Sequence, residues 1–221
     1  MNSIFKAVAA AFYPHRCLFC GRLVEYPAHC CEKCLAALPF IDGEICRICG
    51  HPKELCRGHI DDINYERIIS ALIYDNTVRK GIADFKFSQN KAGGEFFAQL
   101  LLQAVKKHYC DIDFDCVAFV PMSKKQIKER GYNQSEIIAK YIARHLQIPL
   151  NNSLIIRTGR GETQHNLRLS QRKQNAAEAF EGIPLSAAGM TVLLIDDIVT
   201  TSHTVNECCR QLKKAGAIRI Y

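Results

Sequence analysis

The chain has 221 residues, 48% of them hydrophobic and 23% charged, and carries a net charge of +7. That is enough for one sizeable core and a smaller appendage. No apolar run approaches the ~20 residues that span a bilayer, so no transmembrane segment is expected. At the start, Ile4, Phe5, Val8 and Phe12 recur at helical intervals around Lys6. This predicts a short amphipathic helix rather than a signal peptide, and hence a cytoplasmic protein. The positive charge is local: between Pro121 and Asn175 there are 11 Lys/Arg against 3 Asp/Glu, whereas the remainder has 18 against 19. Such a segment suits a diphosphate or a nucleic-acid backbone.

Eight of the 12 cysteines lie between Cys17 and Cys56. They form Cys17-x-x-Cys20, Cys31-x-x-Cys34, Cys46-x-x-Cys49 and, with a histidine, Cys56-x-x-His59. Two-residue spacers place paired ligands on tight knuckles, and two knuckles make a tetrahedral zinc site. The eight ligands Cys17, Cys20, Cys31, Cys34, Cys46, Cys49, Cys56 and His59 suffice for two ions, and one or two structural zinc ions are expected. Sequential and cross-braced pairings both fit the spacing, and Cys30 could replace Cys31. Zinc held by four protein ligands is structural, and a segment this poor in large apolar residues needs such a staple to fold.

Beyond His59, Arg67–Tyr74 reads as a strand and Thr77–Phe87 as a short helix or turn. From Gly93-Gly94 to about His108, apolar residues at helical spacing predict a helix packed on a sheet. Cys116–Val120 is the next strand, followed by a basic loop with Lys124, Lys125, Lys128 and Arg130. A helix then runs through Ile137–Leu146, capped by Asn133 or Ser135. Leu150–Ile156 is strand-like and leads into a polar loop, Arg157-Thr158-Gly159-Arg160-Gly161-Glu162-Thr163-Gln164, with nothing apolar to pin it.

Thr191–Ile195 is a buried parallel strand running into Asp196-Asp197 and a hydroxyl-rich turn, before a helix from about Val205 that Gly216 stops. Ala217–Tyr221 begins another strand. Paired carboxylates can accept hydrogen bonds from two vicinal sugar hydroxyls. Hydroxyls and backbone N–H groups at a helix start suit a phosphate. Both groups sit at the carboxyl end of a strand, where open α/β sheets bind ligands.

The stretch Thr191–Thr204 resembles the phosphoribosyl-diphosphate (PRPP) motif of type I phosphoribosyltransferases. The resemblance implies that Asp196 and Asp197 contact the ribose hydroxyls at the catalytic centre, while Thr200, Thr201, Ser202, His203 and Thr204 hold the 5′-phosphate. Ser202 stands where that family usually has Gly or Ala. By the same resemblance, Ser123, Lys124, Lys125 and Arg130 hold the diphosphate, and Arg157, Thr163 and Gln164 belong to a lid.

With Tyr13-Pro14 before the first knuckle, Lys86-Phe87, Arg130-Gly131-Tyr132-Asn133-Gln134, Thr163-Gln164 and the paired aspartates, nearly the whole chain resembles the ComF family. His59 stands where relatives often have an eighth cysteine. The resemblance implies an α/β fold with a type I phosphoribosyltransferase-like core, a mostly parallel sheet with flanking helices, over residues 61–221. A double zinc-ribbon domain is implied over 1–60. It further implies PRPP with Mg²⁺, a role in natural competence through incoming single-stranded DNA, and contact with other competence machinery. No residue stands out as a general base for an acceptor. Two readings therefore remain: a PRPP-dependent transferase, or a non-catalytic DNA-binding or PRPP-sensing module.

Overall fold

A computed structural model describes residues 15–56, 62–87, 91–158, 179–200 and 202–221. The sheet that positions the site is parallel, with β4 (Thr191–Ile195) between β1 (Cys116–Phe119) and β5 (Arg219–Ile220). Cys116 faces Val192 and Phe119 faces Ile195 across the β1–β4 ladder, and Leu150 adds a parallel bridge beside Val117. Side chains alternate between faces. Val117, Leu193 and Ile195 enter one apolar cluster, while Cys116, Ala118, Val120, Val192 and Ile220 enter another. Burial on both sides is why β1 and β4 read as unbroken apolar runs.

The first face is covered by α2 (Asn76–Phe87), α3 (Lys91–His108) and α5 (Gln134–Leu146). On α5 the buried stripe Ile138, Ala139, Ile142, Ala143 is the helical periodicity expected from sequence. The second face is covered by α6 (His203–Lys214) and the antiparallel pair β2 (Ile155–Arg157) and β3 (Phe180–Gly182). Cys208 and Cys209 are core residues there, 0% and 1% exposed. Among the described residues, no helix is long and apolar enough to cross a membrane.

Three sequence expectations change. Arg67–Tyr74 forms no regular strand: its only bridge is Leu72 to Phe40. Its backbone instead ties the cysteine-rich head to the body, with Ile68 N–H donating to Arg47 O (2.8 Å) and Ile73 N–H to Pro39 O (2.9 Å). Leu150–Ile156 is two pieces, because Asn151 Oδ1 accepts from Ser153 N–H at 3.1 Å and turns the chain. The first piece pairs parallel with β1 and the second antiparallel with β3. The expected basic loop is a helix, α4 (Lys124–Arg130), started by a capping box between Ser123 and Gln126.

The head, which includes the short α1 (Glu32–Ala36), is inserted into the first core. Leu18 and Phe19, between Cys17 and Cys20, are 5% and 4% exposed and cluster with Phe85, Phe96 and Phe97. The Phe19 ring meets Phe96 and Phe97 edge-to-face at 5.8 and 6.2 Å. Gly81 on α2 permits this approach, since a Cβ there would stand 2.6 Å from Phe19 Cε1.

Candidate functional site at the strand ends

The carboxyl ends of β1 and β4, the start of α5 and the end of α4 converge on a cavity of about 170 Å³. Asp196, Asp197, Ser135, Arg130, Arg157 and Thr204 are among its lining residues. Each side chain arrives for a local reason. Asn133 caps α5, its Oδ1 accepting from Ser135 N–H at 3.0 Å, while its Nδ2 donates to Val120 O at the end of β1 at 3.0 Å. That fixes the helix start against the strand and leaves the Ser135 hydroxyl to donate to Asp196 Oδ1 at 3.0 Å. Asp197 N–H donates to the same oxygen at 2.9 Å.

Asp197 forms an ion pair with Lys86 at the end of α2, Nζ to Oδ2 2.6 Å, with both side chains mostly buried. Burial, and then the charge of Asp197, raises the Asp196 carboxyl from its ordinary 3.8 to about 7; the Ser135 hydroxyl, the Asp197 N–H and Lys86 pull the other way. Two carboxylates are thus brought together, with Lys86 paired to Asp197 and Arg130 and Arg157 around the same cavity. This donor set fits a ribose diol, whose two hydroxyls donate into it, and a hard cation carried in on a diphosphate.

Of the residues assigned from sequence, Arg130, Arg157, Asp196, Asp197 and Thr204 meet around the cavity. The Arg157 guanidinium lies over the Phe180 ring, 5.2 Å from its centroid. Ser123 is buried and its hydroxyl accepts from Gln126 N–H, which makes it the cap of α4 rather than a lining residue. Lys124 and Lys125 are exposed on the first turn of α4, outside the lining. His203 begins α6 and Thr200 is exposed just before it. Ser202 precedes α6 with φ 56°, in the left-handed region that favours glycine. Thr163, Gln164, Thr201 and His59 lie outside the described residues. Sequence reasoning did not place Lys86, Gln134 or Ser135 in the site. Their signal was faint: Lys86 reads as an ordinary helix-end lysine, and Ser135 competes with Asn133 as a cap.

In the head, the sulfurs of Cys17, Cys20, Cys31 and Cys34 lie within 4.8 Å of one another, as do those of Cys46, Cys49 and Cys56. Among the described residues the sulfurs group sequentially, the first knuckle with the second and the third with Cys56. Cys31 belongs to the first group, while the Cys30 thiol donates to the Cys31 carbonyl at 3.4 Å. Four thiolates at this spacing are the donor set of a closed, structural zinc site. The third knuckle, Cys46–Cys49, turns at Gly50, φ 71°, whose N–H donates to Cys46 O at 2.9 Å. A Cβ at Gly50 would lie 2.9 Å from Ile68 Cγ2, so this knuckle too is pressed against the body.

Comparison with known proteins agrees with this division of labour. Residues 8–63 match the double zinc ribbon domain family, and residues 133–221 match the phosphoribosyl transferase domain family. The chain is 27% identical over 208 residues to the DNA utilization protein YhgH of Salmonella typhi, covering 92% of this chain and 86% of that one. It is 29% identical to the competence protein ComFC of Bacillus subtilis over 199 residues, 84% of this chain and 78% of that one. With the competence protein F of Haemophilus influenzae it shares 29% identity over 211 residues, 92% and 81% of the two chains.

Proposed function

We propose that this chain, a member of the ComF family in which a double zinc ribbon precedes a phosphoribosyltransferase domain, binds PRPP with Mg²⁺ at the Asp196–Asp197 cavity. We propose further that it serves natural competence in the cytoplasm, in the handling of incoming single-stranded DNA. The observation that carries the reading is the meeting of paired carboxylates at the end of β4 with Arg130, Arg157 and Thr204 around one cavity. The carboxylates accept from the ribose hydroxyls, and the two arginines counter the diphosphate. Thr204, in the first turn of α6, and the N–H groups there meet the 5′-phosphate. Bound Mg²⁺ would neutralise charge on the diphosphate and so make it a better leaving group. Thermal melts with Mg²⁺, with and without PRPP, test this reading: the ligand raises the midpoint, and an unchanged midpoint at millimolar PRPP contradicts it.

Turnover requires an acceptor, and the site does not name one. A second reading is a nucleic-acid-binding module that keeps the phosphoribosyl pocket. It is favoured by α4, whose Lys124, Lys125 and Lys128 are all exposed beside the cavity. Such a helix tracks a phosphate backbone, with affinity that falls steeply as salt rises. A gel shift with single-stranded DNA separates the two. Retarded DNA with the Asp196→Asn/Asp197→Asn double variant means that DNA is held outside the pocket. Loss of the shift means that the pocket itself holds it.

A further inference from the structure

Gln134 is the first residue of α5 and lines the same cavity. Its side chain is 1% exposed, yet neither Nε2 nor Oε1 completes a hydrogen bond within the protein. The Tyr132 hydroxyl donates to the Phe85 carbonyl, and the Gln134 amide lies close to its oxygen without completing a hydrogen bond to it. Arg157 Nε is buried without a partner as well. Among the described residues only four buried side-chain atoms lack one, the fourth being Arg67 Nε. Three of the four thus belong to two residues lining one cavity, the one that also holds the paired aspartates.

Buried amides are normally satisfied, and leaving one open is a desolvation penalty without return. Packing alone would not require an amide here, since the apolar Val120, Pro121 and Met122 line the same cavity. An amide kept here is a preformed contact for a ligand that brings both acceptors and donors. Phosphate oxygens supply acceptors and sugar hydroxyls supply donors.

We infer that Gln134 is a ligand-contacting, specificity-determining residue of the phosphoribosyl site. Its Nε2 donates to a diphosphate oxygen held between Arg130 and Arg157, and its Oε1 accepts from a ribose hydroxyl. The inference rests on the PRPP reading above. A neutral amide suits this place because it adds hydrogen bonds without adding charge beside Asp196. A carboxylate here would repel the diphosphate.

The test compares wild type, Gln134→Met and Gln134→Glu by ligand-free melting, and by calorimetric titration with Mg²⁺·PRPP and with Mg²⁺·diphosphate. Gln134→Met is close in shape and removes the unsatisfied amide. It should raise the ligand-free midpoint by about 2–4 °C while weakening PRPP binding roughly 10- to 100-fold. Diphosphate, which lacks the sugar hydroxyls, should lose less, and Gln134→Glu should bind both probes more weakly than Gln134→Met. If wild type binds both probes and Gln134→Met binds them equally well, the inference is wrong and the PRPP reading stands. If wild type binds neither, both fall. Should Gln134→Met not fold, Gln134→Asn, which withdraws the amide by one methylene, carries the same comparison.

Discussion

At the scale of single residues, the site stores electrostatic tension in Asp196. Its carboxyl is raised to about 7 by burial and by Asp197. The folded protein therefore holds that proton more tightly than the unfolded chain does. The resulting stability is complete below the ordinary value of 3.8 and is lost as pH rises through about 7. Asp196→Asn keeps an Oδ1 for Ser135 and for the Asp197 N–H but removes the charge. It should raise the ligand-free melting midpoint at pH 8 by roughly 2–4 °C, a gain of about 1 kcal/mol, with little change at pH 4. A midpoint that falls at pH 8 would show that Asp196 is already fully compensated. The neighbouring Asp197 is paired with Lys86, whose ammonium lies 2.6 Å away. Ser202 contributes tension of a different kind, holding a side chain at φ 56° where glycine is at ease. Its Cβ costs about 1 kcal/mol there, and the side chain leaves a hydroxyl at the start of α6.

At the scale of elements, the fold was legible wherever one period ruled a stretch. β1, β4, α3, α5 and α6 follow from their apolar patterns, because each is buried along one stripe or on both faces. The misread stretches were those whose hydrogen bonds go to a distant partner. Arg67–Tyr74 has the composition of a strand, but its partners are Arg47 and Pro39 of the head. Nothing local in the sequence announces that. The lysine-rich segment after β1 reads as a loop because charge hides its propensity, although Ser123 and Gln126 spell the capping box that starts α4. In the site the aspartates were legible as a motif. Lys86 and Gln134 were not, because their roles depend on which helix ends meet at Asp197 and Val120. Gly81 is the sharpest test of the contact between α2 and the head. Gly81→Ala drives a methyl into the Phe19 ring and should destabilise by about 1–3 kcal/mol in denaturant unfolding. A neutral outcome would mean that the first knuckle does not seat on α2.

At the scale of the whole molecule, the zinc head is part of the first core rather than a tethered module, since Leu18 and Phe19 pack among Phe85, Phe96 and Phe97. Metal removal should therefore be felt beyond the head. Elemental analysis should find two zinc ions per chain, and Cys17→Ser should lose one of them and lower the melting midpoint of the entire chain. Cys30→Ser should keep both, because Cys30 stands outside the sulfur cluster. Equal zinc loss in the two variants would contradict the ligand assignment. The same construction reaches the functional site, because Lys86, which pairs with Asp197, lies in the last turn of the helix on which the first knuckle rests. Zinc in the head is in this way linked by packing to charge balance at Asp197.

The central claim, that the carboxylates at the end of β4 recognise a phosphoribosyl diphosphate, is tested most directly by isothermal titration of the zinc-loaded chain with PRPP in the presence of Mg²⁺. The account predicts saturable binding at one site per chain, dependent on Mg²⁺ and lost in the Asp196→Asn/Asp197→Asn variant, which remains folded. No heat of binding at millimolar PRPP, or equal binding by that variant, would contradict it.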